Sequence, residues 1–234
     1  MQPRVRISLV LLIGIMAAFT GPDVLIGPFL QINMGIDTAQ VGLLLMIPAI
    51  ATLPGTLIAP LLMRYMSPAG VISASLLCAC VGLLVVLASV NSIPGMIAGL
   101  CLVAFGSPAM VVTSQLVVTS APVERTGTMT AVQDVSNGLG AASGIAVLGG
   151  VGAYVFSRSI ASLELFPGGR APGTPGEAVA LAEAEPVSAR DEAVATVHAA
   201  MADSLQVSFF VGAVLVIACA LLCATSLRHV DRAR

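Results

Sequence analysis

Charge is what this sequence has least of. Only 9% of its 234 residues are Asp, Glu, Lys or Arg and mean hydropathy is +1.01, whereas a soluble domain carries roughly 25% charged residues. Lysine is missing altogether, so the ten basic residues are all arginine, and the net charge is −2. No run of them exists to grip a polyanion, which sets nucleic acid aside as a partner. Tryptophan is absent and tyrosine occurs twice, so the apolar content is aliphatic, mixed with glycine. The only histidines, His198 and His229, sit in polar flanks. Ser107 and Ser143 therefore have no base within a helix to activate them, and no enzyme activity is expected. Neither a phosphate-binding loop nor a dinucleotide fingerprint is present, and no cofactor or metal is expected. Cys78, Cys80, Cys101, Cys219 and Cys223 all fall in apolar segments without zinc-like spacing and read as small core residues.

What is present is hydrophobic length. Crossing about 30 Å of hydrocarbon takes about 20 apolar residues in a helix, because every backbone polar group must be satisfied internally in lipid. Six stretches qualify: 7–34, 39–63, 68–90, 94–119, 127–156 and 205–227. The basic N-terminus and apolar run with Ala17-Ala18 resemble a secretory leader, but the further spans downstream make it a first transmembrane helix. The fold class expected is all-α, a polytopic six-helix membrane bundle forming a single membrane domain over 1–234. Between the first five spans lie short breaks with turn or cap chemistry, such as Gly35-Ile36-Asp37-Thr38 and Arg64-Tyr65-Met66-Ser67-Pro68. Residues 157–204 differ: rich in Pro, Gly, Ala and Glu, they read as an extracytoplasmic loop with two short helical pieces, around 176–185 and 191–201. That loop is either a solvated connection or a lid over one mouth of a substrate path.

Orientation follows from arginine, since short loops with excess positive charge stay cytoplasmic. If the helices alternate, Arg4, Arg6, Arg64, Arg125, Arg228, Arg232 and Arg234 fall on one side; Arg158, Arg170 and Arg190 fall in or beside the long loop. A multi-pass cell-membrane protein with both termini cytoplasmic is expected.

Acids at membrane depth cost several kcal/mol unless paired or hydrated, so each is a candidate for function. Asp23 lies two thirds of the way through the first span, after Pro22, which frees a carbonyl and kinks the helix. It reads either as a proton or cation site or as an acid bonded to a neighbouring helix. Asp134 shares a helix face with Thr130 and Asn137, a stripe that lines a cavity or snorkels to water. Gln115 and Gln31 are weaker candidates for the same path. Gly140 and Gly144 form a GxxxG pair, Gly95 and Gly99 repeat it, and Gly106 with Pro108 and Pro48 with Pro54 interrupt their helices. These features serve tight packing, flexing, or both.

The stretch Gly35 to Pro48, GIDTAQVGLLLMIP, with Ala59-Pro60-Leu61 and Arg64 after it, resembles a helix pair of the major facilitator superfamily. Gly138 to Gly149, GLGAASGIAVLG, is similar to the glycine-rich penultimate helix of its 14-helix drug:proton antiporter branch, as are the alanine-rich outer loop and the ending Ser226-Leu227-Arg228-His229. The resemblance implies the last six helices of a proton-coupled multidrug efflux permease in the inner membrane. Its partners would be the lipid bilayer, a small lipophilic or cationic substrate, protons, and an N-terminal half-transporter or a second copy. Two positions depart from the pattern. The loop Arg64 to Gly70 lacks the acid and further bases of the family's gating motif, and Asn137 stands where an arginine is common. The rival expectation is a truncated or non-transporting membrane subunit that needs a partner half.

Overall fold

The computed structural model describes residues 3–119, 126–161, 174–184 and 187–231. The connection 121–125 and four of the orienting arginines, Arg125, Arg170, Arg232 and Arg234, lie outside them. The described residues form helices and short turns, and six helical runs are long and apolar enough to cross a membrane. The protein is an all-α, multi-pass bundle.

α1 (Pro3–Met34) is the central post, packed against helices from every other part of the bundle except the third span. Leu11, Leu12, Ile15, Ala18, Phe29 and Leu30 are fully enclosed on it. It ends at Gly35, the one described residue with positive φ (62°), where the absence of a Cβ permits the left-handed turn. Asp37 then caps α2 (Thr38–Tyr65) by accepting from Ala39 N at 3.1 Å. Ser67 caps α3 (Pro68–Ala88) in the same way, accepting from Gly70 N at 3.2 Å, with Pro68 in the first turn where its missing N–H is harmless.

α2 runs unbroken through Pro48, Pro54 and Pro60, so the interruption expected there does not occur. Each proline removes one backbone bond, but unwinding the helix in lipid would strand several. Thr52 and Thr56 also donate to Ala49 O and Leu53 O of their own helix, at 2.7 and 2.8 Å. Only Val41, Gly55 and Ala59 of α2 are buried, which makes it the most thinly packed span.

The fourth span does break. α4 (Ile93–Ala104) and α5 (Pro108–Thr119) are joined by tight i to i+3 turns, Gly106 N to Val103 O at 2.8 Å and Ser107 N to Ala104 O at 3.0 Å. The amide that would have bonded Ala104 O in a continuous helix belongs to Pro108 and carries no hydrogen.

The fifth span comprises α6 (Thr126–Gly144), a π-helical turn (Ile145–Gly149) and α7 (Gly150–Ala161). Gly140 and Gly144 seat α6 on α1: a Cβ at Gly140 would lie 2.6 Å from Ile13 O, and one at Gly144 would press on the Ala17 carbonyl. The expected GxxxG contact is therefore backbone against backbone. Of the second pair only Gly99 works this way, against Gly82 of α3, whose carbonyl would lie 2.9 Å from its Cβ; Gly95 faces the Ser89 turn.

The last helix corrects the expected start at Leu205. α9 runs from Val187 to Asp231 without a break, preceded by α8 (Pro175–Glu183). Ala178 and Ala182 on α8, and Ala193, Val197, Ala200 and Met201 on α9, are buried at helical spacing, so this part of the expected loop is a packed cap. Asn33 Nδ2 donates to His198 O at 2.8 Å and ties the cap to the end of α1. Farther along α9, Ser204 and Ser208 donate to Gly152 O (2.8 Å) and Leu148 O (3.1 Å), fastening the π turn and α7.

Candidate functional site

The helical step of about 100° per residue turns Pro22 and Asp23 in different directions. Pro22 is buried toward α9, where a Cβ at Gly212 would lie 3.1 Å from its ring. Asp23 is exposed and opens instead onto a cavity of about 380 Å³ between α1, α2 and the α4–α5 break. α1 supplies Phe19, Asp23 and Ile26 to its wall; α2 supplies Leu45, Pro48, Ala49 and Thr52; Leu100, Val103, Ala104, Ser107 and Met110 close the third side.

Asp23 is the one titratable group on that wall, and it has no hydrogen-bond or ion-pair partner among the described residues. An unpaired carboxylate at membrane depth is costly, so it must be protonated, hydrated or neutralised by a cation. The hydroxyls of Thr52 and Ser107 are the other side-chain polar groups in the wall. Both bond to backbone, Thr52 to Ala49 O and Ser107 Oγ to Thr52 O at 3.4 Å.

No family model matches the chain, and no curated protein is significantly similar to it. The reading of the site therefore rests on its own geometry.

Of the residues singled out in the sequence, the cavity gathers Asp23 and Pro48. Pro108, one position beyond Ser107, lines a second hollow of about 260 Å³ with Gly55, Ile58, Leu62, Ala74, Ser75, Cys78 and Phe105. Asp134, Asn137, Gln115 and Gln31 are not in the Asp23 wall. Gln31 is exposed at the α1–α2 turn, where it accepts from Thr38 Oγ1 at 3.4 Å. Gln115 is exposed on α5, and Asp134 is exposed on α6 beside Val135 and Leu139. Asn137 is half-buried, and its Oδ1 is enclosed without a partner. Thr130, the third member of that stripe, donates to Thr126 O at 3.1 Å. Gly140, Gly144 and Pro22 pack helices together and touch neither hollow.

Thr52, Gly55 and Ser107 were not singled out for this role. In the sequence Ser107 reads only as a nucleophile without a base, and its signal is its place between Gly106 and Pro108 at a helix break. Thr52 carried no signal, because a threonine in an apolar span is usually spent on its own helix, as this one also is. Among the described residues no cluster of His, Cys, Asp and Glu could hold a metal ion. None of the five cysteines forms a disulfide; Cys80, Cys219 and Cys223 are buried, and Cys219 Sγ would lie 2.6 Å from a Cβ at Gly14 of α1.

Proposed function

We propose that this chain forms one wall of a proton-coupled secondary transporter, built like the C-terminal half of a major facilitator drug exporter. The observation that carries the reading is Asp23, a carboxylate unpartnered among the described residues and the one titratable group on a mainly apolar cavity between three spans. Such a group takes up and releases a proton, or a cation in its place, as the cavity changes its exposure. The apolar lining of Phe19, Ile26, Leu45, Leu100, Val103 and Met110 suits a lipophilic substrate. A six-helix fold of this kind is compatible with a membrane transporter.

One bundle closes only part of a path. An acid facing lipid costs about 2.5–3.5 kcal/mol at the centre of the membrane, so the exposed Asp134 face of α6 and the thinly packed α2 favour cover by a partner half or a second copy. Asp134, Asn137 and Gln115 would meet the path in that assembly. With Arg6 and Arg64 at alternate span ends on one side, both termini belong in the cytoplasm. Reporter fusions at the two ends should both signal cytoplasmic placement; opposite sides would remove the half-transporter topology.

The decisive assay is proton-driven dye efflux and drug susceptibility of cells making the chain, alone and with a six- to eight-helix N-terminal half. Efflux that collapses when the proton gradient is dissipated is the expected result. Unchanged susceptibility and unchanged efflux in both settings would leave a non-transporting membrane subunit.

A further inference from the structure

Two hollows meet at the α4–α5 break. The Asp23 cavity follows α2 from Leu45 to Thr52, and the second hollow follows it from Gly55 to Leu62, backed by Ser75 and Cys78 of α3. On α2 they are one turn apart. On the opposite wall they are one peptide apart, since Ser107 lines the first and Pro108 the second.

The partition between them is thin. Ser107 Oγ donates to Thr52 O at 3.4 Å, a long bond at the limit of the useful range. A Cβ at Gly55 would lie 2.5 Å from the same Oγ and 3.2 Å from Ala104 O, so a single hydroxyl fills the space that Gly55 leaves. The other buried residues of α2 are Val41 and Ala59, with Leu44, Leu45 and Leu62 packed at the edge of the core. The break itself is made of short i to i+3 turns, the geometry that often marks a hinge within a helical span.

We propose that Thr52, Gly55 and Ser107 form a gate inside the bundle, through which Asp23 is reached from the membrane face that carries Tyr65. The proposal rests on the reading of Asp23 as the carrier of a proton or small cation. Rotation of the Ser107 hydroxyl, or a small outward shift of α2, joins the hollows into one passage past Asp23, Thr52, Ser107, Ser75 and Cys78. The passage is narrowest at Ser107. The gate lies between helices of one bundle, so opening it requires no movement of a partner half.

Cys78 reports on the gate. It is half-buried on the wall of the second hollow, with Sγ 3.6 Å from Leu102 O. The full chain is exposed, in spheroplasts and in inverted vesicles, to a membrane-impermeant trimethylammonium methanethiosulfonate, and modification of Cys78 is timed by mass spectrometry. Modification from the Tyr65 face should be at least about tenfold faster than from the other face. Ser107→Ala, which removes the filling hydroxyl, should raise the rate from the far face about tenfold and leave the near-face rate unchanged, which also shows that the variant is folded. Ser107→Val, which keeps the partition filled, should match the parent. Equal rates from both faces in the parent, a far-face rate indifferent to Ser107→Ala, or a Val variant as open as the Ala variant overturns the gate. Labelling that follows the expected pattern while efflux fails removes the transport reading and leaves the gate standing. Efflux with unresponsive labelling does the reverse.

Discussion

Asp23→Asn should reduce proton-driven efflux to that of cells lacking the chain, with the amount of folded protein unchanged. Asparagine has nearly the same shape but can neither carry a proton nor attract a cation. The carboxylate makes no hydrogen bond or ion pair within the described bundle, so its loss orphans no partner. It also removes the cost of holding a charge at depth, and the variant is expected to be at least as stable as its parent. Efflux measured in vesicles with an imposed pH gradient, beside thermal unfolding in detergent, separates the two effects. Retention of more than about a tenth of the parental rate, a barrier change below about 1.4 kcal/mol, would dismiss Asp23 as the coupling group. Asp134→Asn in the same assay is the informative comparison, because Asp134 lies outside the Asp23 wall.

Gly144→Leu should dismantle the bundle. At this position α6 lies on α1 so closely that a bare Cβ would press on the carbonyl of Ala17 and lie 2.6 Å from its Cα. What it meets is main chain, which cannot rotate aside like a flexible side chain. Pushing the two helices apart also disturbs the seat of Gly140 on Ile13 and Met16, one turn away. Overpacking a well-filled interior commonly costs about 1–3 kcal/mol and occasionally more, and a backbone-to-backbone contact on the central post belongs at or above the top of that range. Gly138→Leu and Gly150→Leu are the controls, because a Cβ at either position meets nothing within 4 Å. Unfolding in detergent should show a large loss for Gly144→Leu and little change for the controls. Equal losses for all three would mean that the close approach at Gly144 does not govern this span, since leucine is the better helix former at each position.

The spans could be read from the sequence because lipid imposes a length and an apolar composition that few other structures require. The break at Gly106 and Pro108 was visible for a local reason: a proline one residue past a flexible pair removes the bond that would hold the turn. The three prolines of α2 looked like the same signal. They are spaced through a span whose intervening backbone bonds remain, and the helix continues. The start of α9 was hidden by composition, since Ala193, Val197, Ala200 and Met201 form a buried face of small residues amid Arg190, Asp191, Glu192 and His198. The stretch 191–201 reads as a short helical piece of its own; its continuity with the last span depends on α8 and the end of α1, which supply something to pack on.

The site was half legible. A lone acid after a proline stands out in an apolar run, so the sequence singles out Asp23. Its surroundings depend on which spans lie beside α1, and nothing local to Thr52 or Gly55 states that the second span leans on the break in the fourth. The glycines divide in the same way. Gly140 and Gly144 announce themselves by spacing within one helix, whereas Gly82 and Gly99 lie in different helices and meet only in the fold.

The π-helical turn at Ile145–Gly149 sets the phase of everything that follows it in that span. A wider turn spends one more residue on its circuit, so α7 is set back by about 100° relative to an uninterrupted helix. Only in that phase does Gly152 meet Ser204 and Ser208. The chain therefore keeps two registers in one membrane crossing, one that fits the N-terminal half to α1 and one that fits the C-terminal half to α9, and removing a single residue between them would satisfy one neighbour at the expense of the other.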